Sequence, residues 1–151
     1  MCSVHMCYLL VTRAKASEYL NSIEILALFF AALLHDVDHP GLNNAFQIQT
    51  LSELALRYND RYGERHAYYN VFLTSILTRS VLENHHCSSG FQLLLKFDLL
   101  KGLTTDEFRR FRKVVVDVIL ATDLTYHVEF VSKMQVSTES YGANFGSDLR
   151  T

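Results

Sequence analysis

The chain has 151 residues, of which 49% are hydrophobic and 20% are charged, with six glycines and a single proline. This length predicts one folded domain, and the composition excludes a disordered, collagen-like or low-complexity chain. Fourteen Lys and Arg against sixteen Asp and Glu give a net charge of −2, so bulk charge indicates neither nucleic-acid binding nor attraction to an anionic membrane.

Cysteine usage and apolar stretches indicate a cytoplasmic chain without a membrane span. Cys2, Cys7 and Cys87 are odd in number and form no C-x2-C pair, which favours reduced thiols. The most apolar stretch, residues 23–34, is interrupted by Glu24 and falls short of the ~20 residues that cross a bilayer. The first ten residues contain no Lys or Arg, unlike a signal peptide.

Helical periodicity predicts an all-α fold, because Leu, Ala, Phe, Glu and Arg dominate and alternating strand patterns are scarce. The predicted helices cover residues 3–15, 22–35, 45–58, 80–97 and 104–134. The second is apolar nearly all round, which indicates a buried helix. The fourth is predicted as one or two short helices with a break near residues 88–90, Ser-Ser-Gly. Thr104 and Glu107 form a capping-box pattern at the start of the last, and residues 135–151 lack periodicity, which predicts a flexible tail.

A concentration of titratable side chains follows the second predicted helix, in the string His35-Asp36-Val-Asp38-His39-Pro-Gly41. Imidazole is a good ligand for Zn²⁺, and carboxylate suits Mg²⁺ or Mn²⁺. Asp36 has two oxygens with which to bridge two ions, and two-metal sites activate water and clamp phosphoryl groups. A His-Asp pair alone, however, is more often a helix cap or a surface ion pair.

The longer string, continued by Asn43-Asn44-Ala45-Phe46, resembles the metal-binding signature of the class I 3′,5′-cyclic nucleotide phosphodiesterases. The resemblance extends to residues 23–32, 54–60, 80–86 and 119–127, and covers about residues 3–134 apart from one interruption. It implies a helical bundle, the N-terminal to middle part of the family's HD-type catalytic domain. Residues 1–134 are then predicted to be a partial catalytic domain, followed by the divergent tail.

The resemblance also implies roles for single residues. His35 and Asp36 match ligands of a tightly bound metal, usually zinc, and Asp36 would bridge to a second metal, usually magnesium or alternatively manganese. The family's positions that hold or orient metal-bound waters correspond to His39, Asn44, Glu83 and Thr122. Of these, His39 is the candidate for a catalytic, water-orienting histidine. Asp123 and Leu124 match positions near the nucleotide pocket.

Each of these assignments has a simpler alternative. A solvated helix face is the ordinary interpretation of Glu83, His85 and His86. Thr122 has a hydroxyl that commonly bonds to the backbone of its own helix. Asp123 and His127 are four residues apart and suit an ion pair along a helix.

The sequence departs from the family pattern in three places. The family's His-Asn-x-x-His-Ala motif, which supplies the general acid and a further metal ligand, does not occur, and His5 is better interpreted as a packed histidine. Nothing after Met134 resembles the family's later Asp ligand or its purine-binding Gln and Phe. Residues 61–79 separate two segments that are nearly adjacent in the family, which predicts an insertion, from a retained intron or a wrongly predicted exon. With two of four ligands recognisable, we expect weak metal binding.

Three functional hypotheses follow. The first is part of an enzyme of signal transduction that hydrolyses cAMP, cGMP or both to the 5′-monophosphate, with two divalent metal ions as cofactors and little turnover by this chain alone. The second is a truncated, non-catalytic product that binds a partner or the full-length enzyme. The third is another metal-dependent phosphohydrolase, against which the long flanking matches argue.

Overall fold

The computed structural model describes residues 2–59, 80–126 and 131–133, and these contain helices and turns without a strand. The helices are α1 (Ser3–Thr12), α2 (Ser22–Leu34), α3 (Asn44–Gln49), α4 (Glu53–Asn59), α5 (Val81–Lys96) and α6 (Thr105–Leu120), with short 3₁₀ turns at Ala16–Glu18 and Leu124–Tyr126. The predicted all-α class is therefore confirmed. The predicted insertion at residues 61–79 and the predicted tail at residues 135–151 lie outside the described residues.

The core forms where α2 packs against α6 and α5. A capping box begins α2: the side chain of Asn21 accepts from the N–H of Glu24, and the Glu24 carboxylate accepts from the N–H of Asn21 at 2.9 Å. This pairing provides acceptors for backbone N–H groups at the start of the helix that have no acceptor within it. The buried apolar cluster combines three helices and the α5–α6 turn, and comprises Ala27, Ala31, Leu34, Cys87, Leu94, Leu100, Phe111, Val115 and Ile119.

The prediction that α2 is buried all round is wrong for one of its faces. Ala27, Ala31 and Leu34 are buried, whereas Leu33 is 61% exposed and Leu26 is also exposed. The small alanines, one helical turn apart, let α6 approach closely and bury one face. The helix α1 also packs against α2, but Leu26 and Leu33 remain exposed.

The predicted break near residues 88–90 is wrong, because α5 continues through it to Lys96. Gly90 is buried, and a Cβ atom at that position would lie 3.1 Å from Cδ1 of Leu34. The glycine therefore serves the close approach of α5 to the end of α2 rather than a turn.

Three other predicted helices have different bounds in the structure, and the first of them, α1, ends at Thr12 rather than at residue 15. The segment 45–58 divides into α3 and α4, because Leu51 adopts a left-handed conformation with φ of 49° between them. The capping box at Thr104 is confirmed, but α6 ends at Leu120 rather than near residue 134. Beyond that end, Asp123 accepts from the backbone N–H of Thr125 at 2.9 Å, and this local bond replaces the helical one.

Across residues 2–59, 80–126 and 131–133, no helix combines the length and the apolar character that a membrane crossing requires.

Candidate metal centre

The loop after α2 brings a carboxylate and an imidazole together. Asp38 and Gly41 take left-handed backbone conformations, with φ of 59° and 78°, which turn the chain sharply after Leu34. As a result, Oδ1 of Asp36 lies 4.0 Å from Nε2 of His39. The side chain of Asp36 is 67% exposed, so this part of the loop is open to an incoming ion.

A third candidate ligand comes from α5. Nε2 of His86 also lies 4.0 Å from Oδ1 of Asp36, and its ring stacks on that of His39 with 5.5 Å between centroids. The ligand atoms of Asp36, His39 and His86 all lie within 4.8 Å of one another. Because His86 is buried and Asp36 is exposed, the group is enclosed by protein on the side of His86 and open to solvent on the side of Asp36.

The hydrogen bonds of His86 leave one ring nitrogen free for a cation. Its Nδ1–H donates to the carbonyl of Val37 at 2.7 Å, so the neutral ring has its lone pair at Nε2, towards Asp36. Burial lowers the pKa of His86, against the opposing effects of the Val37 bond and the Asp36 charge. A neutral imidazole whose other nitrogen donates to a backbone carbonyl is the form that binds metals.

His39 has the opposite arrangement. Its Nδ1 accepts from the backbone N–H of Gly41 at 2.9 Å, so a neutral ring carries its hydrogen at Nε2, the atom that faces Asp36. That nitrogen is a donor, suited to a water or a carboxylate rather than directly to a cation. Proximity alone therefore overstates the number of ligands in this group.

His35 lies next to the group but is not one of the three. It is half-buried, and its Nδ1 lies 3.1 Å from the carbonyl of Ala32, a bond in which the ring donates and leaves Nε2 free. The described residues thus group Asp36 with His86, whereas the sequence paired it with His35.

Asn44 and Glu83 are brought together as a bridge between α3 and α5. The side-chain N–H of Asn44 donates to Oε2 of Glu83 at 2.9 Å, and its oxygen accepts from the backbone N–H of Leu82 at 2.8 Å. The alternative of a solvated helix face is wrong, because this part of α5 buries Glu83, His85 and His86. A buried carboxylate needs such a donor.

The remaining predicted residues lie at the end of α6. Both oxygens of buried Asp123 are bonded within the protein, Oδ2 to the hydroxyl of Ser80 at 2.6 Å and Oδ1 to Thr125. The hydroxyl of Thr122 donates to the carbonyl of Ile119 at 2.7 Å, as its simpler alternative supposed. Leu124 is 83% exposed. The proposed pairing of Asp123 with residue 127 lies outside the described residues.

Comparisons with known proteins place the chain in a family. The family model for 3′5′-cyclic nucleotide phosphodiesterase matches residues 1–148. The chain is 37% identical over 130 residues to 3′,5′-cyclic-nucleotide phosphodiesterase regA of Dictyostelium discoideum. It is 39% identical over 139 residues to dual specificity calcium/calmodulin-dependent 3′,5′-cyclic nucleotide phosphodiesterase 1B of Mus musculus. The chain belongs to the 3′5′-cyclic nucleotide phosphodiesterase family.

Solved structures show how much of a phosphodiesterase domain this chain spans. The phosphodiesterase domain of the RhoPDE fusion protein from Salpingoeca rosetta superposes with a TM-score of 0.72 at 41% identity, covering 89% of this chain and 37% of that one. The matches to these two relatives span 85% and 91% of this chain, but only 14% and 22% of the relatives' own lengths. The predicted family, and the helical fold of part of its domain, are confirmed.

Proposed function

We propose that this chain contributes the metal-binding part of a catalytic centre that hydrolyses a 3′,5′-cyclic nucleotide, cAMP or cGMP, to the 5′-monophosphate. The observation that carries the proposal is the group of Asp36, His39 and His86 on a loop and helix of a phosphodiesterase-family chain. The names of the relatives, all cyclic-nucleotide phosphodiesterases, support the substrate class.

We propose two divalent cations as cofactors of this centre, zinc and magnesium (or manganese). Asp36 supplies carboxylate oxygens, and His86 and His35 each have Nε2 available because Nδ1 donates to a carbonyl. Mixed imidazole and carboxylate ligands suit Zn²⁺, while carboxylate suits Mg²⁺. When bound, such ions polarise phosphoryl oxygens and acidify water.

The chain's own polar groups then orient water and substrate. We assign His39 to donate from Nε2 to a water beside Asp36, since Gly41 fixes its tautomer. Asn44 holds the carboxylate of Glu83, which we assign to accept a hydrogen bond from water. The hydroxyl oxygen of Thr122 still has lone pairs after its hydrogen is donated to the Ile119 carbonyl, and we assign it to accept from water as well.

We propose different roles at the nucleotide pocket for Asp123 and Leu124, which are adjacent in the sequence. Exposed Leu124 is assigned to contact the nucleotide directly. The carboxylate of Asp123, engaged by Ser80 and Thr125, is assigned to hold the wall of the pocket rather than to touch the nucleotide.

The location that we propose is cytoplasmic. Cys2, Cys7 and Cys87 are free in the structure, and unpaired thiols are usual in a reducing compartment.

Cobalt binding tests the metal centre directly, because Co²⁺ replaces Zn²⁺ and absorbs visible light. Asp36→Asn and His86→Ala are each expected to weaken Co²⁺ binding at least tenfold, since each removes a ligand. His5→Ala is the matched control and should bind Co²⁺ as the unaltered chain does. The prediction that His5 is packed is wrong, because this histidine is exposed on α1. Equal affinities in all four proteins would refute the assignment.

Nucleotide hydrolysis tests the activity. With Zn²⁺ and Mg²⁺ added, we expect the isolated chain to convert cAMP and cGMP slowly, because it corresponds to 37% of a solved phosphodiesterase domain. Chromatography of the 5′-monophosphate measures the rate. Metal binding without product would favour the second hypothesis, a non-catalytic product of the same family.

A further inference from the structure

His85, the neighbour of His86 on α5, is bonded through both of its ring nitrogens. Nε2 lies 2.8 Å from Oδ2 of Asp38, and Nδ1 lies 3.2 Å from the hydroxyl of Tyr58. The rings of Tyr58 and His85 also pack edge to face, 5.9 Å apart. The histidine is buried, whereas the side chain of Asp38 is 70% exposed. A hydrogen-bonded chain therefore runs from α4 through α5 to the loop after α2.

The chemistry of these partners excludes His85 as a metal ligand. An ionised carboxylate only accepts, so Nε2 of His85 carries a hydrogen and donates to Asp38. In the neutral ring, Nδ1 accepts from the hydroxyl of Tyr58. Neither nitrogen then has a free lone pair for a cation, in contrast to Nε2 of His86.

The residue that His85 holds has an unusual backbone. Asp38 has φ of 59°, a left-handed conformation that residues other than glycine adopt when their surroundings support it. It lies directly between Val37, whose carbonyl accepts from His86, and His39. Two successive histidines of α5 thus hold two successive residues of the loop.

We propose that Tyr58, His85 and Asp38 form a positioning chain for the metal centre, with His85 as its central positioning residue. By holding Asp38 in the left-handed conformation, the chain keeps Nε2 of His39 within 4.0 Å of Asp36. The part of this inference that concerns metal rests on the proposed function. The part that concerns the loop does not.

The first test measures Co²⁺ affinity and the visible spectrum of the Co²⁺-loaded chain. His85→Leu should weaken binding about ten- to a hundredfold, as loss of a residue that supports ligands does, and should alter the spectrum. His85→Gln retains a donor for Asp38 and should recover most of the affinity. Tyr58→Phe should weaken binding by a smaller factor, about threefold, while Tyr8→Phe on the exposed side of α1 should change nothing.

A structural role alone would lower the urea midpoint of His85→Leu but leave the affinity and spectrum of its folded fraction unchanged, and that result would overturn the proposal.

The second test needs no metal and separates this proposal from the proposed function. In a chain labelled with ¹⁵N-histidine, the ring-nitrogen signals of His39 report its tautomer and its bond from Gly41. His85→Leu should shift these signals, and His85→Gln should largely restore them. If the unaltered chain binds no Co²⁺ but the signals shift, the proposed function fails and the positioning chain stands. Unshifted signals in His85→Leu would overturn the positioning chain.

Discussion

Gly90 offers a sharp test of the packing that supports the metal loop. A Cβ atom at this position of α5 would lie 3.1 Å from Cδ1, 3.3 Å from Cβ and 3.4 Å from Cδ2 of Leu34. Leu34 is the last residue of α2 and directly precedes His35 and Asp36. The substitution Gly90→Ala would place this Cβ atom against Leu34, and we predict its effect on the free energy of unfolding.

Two opposing effects set the magnitude of this change. Alanine is favoured over glycine inside a helix by about 1 kcal/mol, whereas overpacking a core costs about 1–3 kcal/mol. The methyl groups of Leu34 can rotate away, but its Cβ is fixed to the backbone of α2, so relief requires the two helices to separate. We expect a net loss of about 1 kcal/mol in the free energy of unfolding.

Gly102→Ala is the matched control, since a Cβ at Gly102 meets no atom within 4 Å and its φ is not positive. This substitution should raise the free energy of unfolding by about 0.4–1 kcal/mol, because alanine restricts the unfolded chain. Urea denaturation followed by far-ultraviolet circular dichroism measures both variants. The opposite signs distinguish local crowding from a general effect of replacing glycine.

A double-mutant cycle identifies the atoms responsible. Leu34→Ala alone should cost about 2–5 kcal/mol by opening a cavity. In that background, Gly90→Ala keeps its 3.3 Å contact with the Cβ at position 34 but no longer meets the two methyl groups, so its cost should fall, with a coupling energy of about 0.5–3 kcal/mol. The reasoning is refuted if Gly90→Ala stabilises the unaltered chain as Gly102→Ala does, or if the cycle shows no coupling.

Three further predictions concern the core, a helix cap and the thiols. Phe111→Ala should lower the free energy of unfolding by about 3–5 kcal/mol in urea denaturation, because its side chain is fully buried, while exposed Phe97 should tolerate alanine within about 0.5 kcal/mol. Hydrogen bonds from the backbone and hydroxyl of Thr104 lower the pKa of Glu107. The contribution of the Glu107 carboxylate to stability is therefore present above its unfolded pKa and is lost as the pH falls through the lower folded pKa. The difference in the free energy of unfolding between the unaltered chain and Glu107→Gln should accordingly shrink on acidification. Burial raises the pKa of Cys87 to about 11, so iodoacetamide should modify it more slowly than exposed Cys2 at about pH 8, and equal rates by peptide mass spectrometry would contradict this.

Local patterns in the sequence predicted the beginnings of helices better than their ends. The capping box of Thr104 and Glu107 involves residues three apart, and it occurs in the structure as expected. The end of α6 depends instead on Asp123, whose carboxylate bonds to Ser80, 43 residues away, as well as to its neighbour Thr125. Long-range bonds of this kind leave no periodic signal in the sequence.

In the candidate site too, residues close in sequence were predictable, and a residue distant in sequence was not. Asp36 and His39 were identified because they share a short string, and their proximity follows from one turn of the chain. The sequence did not assign His86, which reaches the site from α5 through its bond to the carbonyl of Val37, 49 residues away. The available signal was the family-like segment of residues 80–86, in which two histidines follow Glu83. Burial and tautomer, which separate a ligand from a positioning residue, became visible only in the packed structure.

The position of Glu83 is supported by contacts from residues outside the segment 61–79. The beginning of α5 is held at two points that lie outside that segment. Ser80 donates to buried Asp123 at the end of α6, and Asn44 bonds both to Leu82 and to Glu83 itself. Asn44, in α3, and Asp123, just beyond α6, therefore both anchor the first turn of α5, which carries Glu83. The metal loop is in turn held by the next turn of α5, so the centre is organised around this one helix.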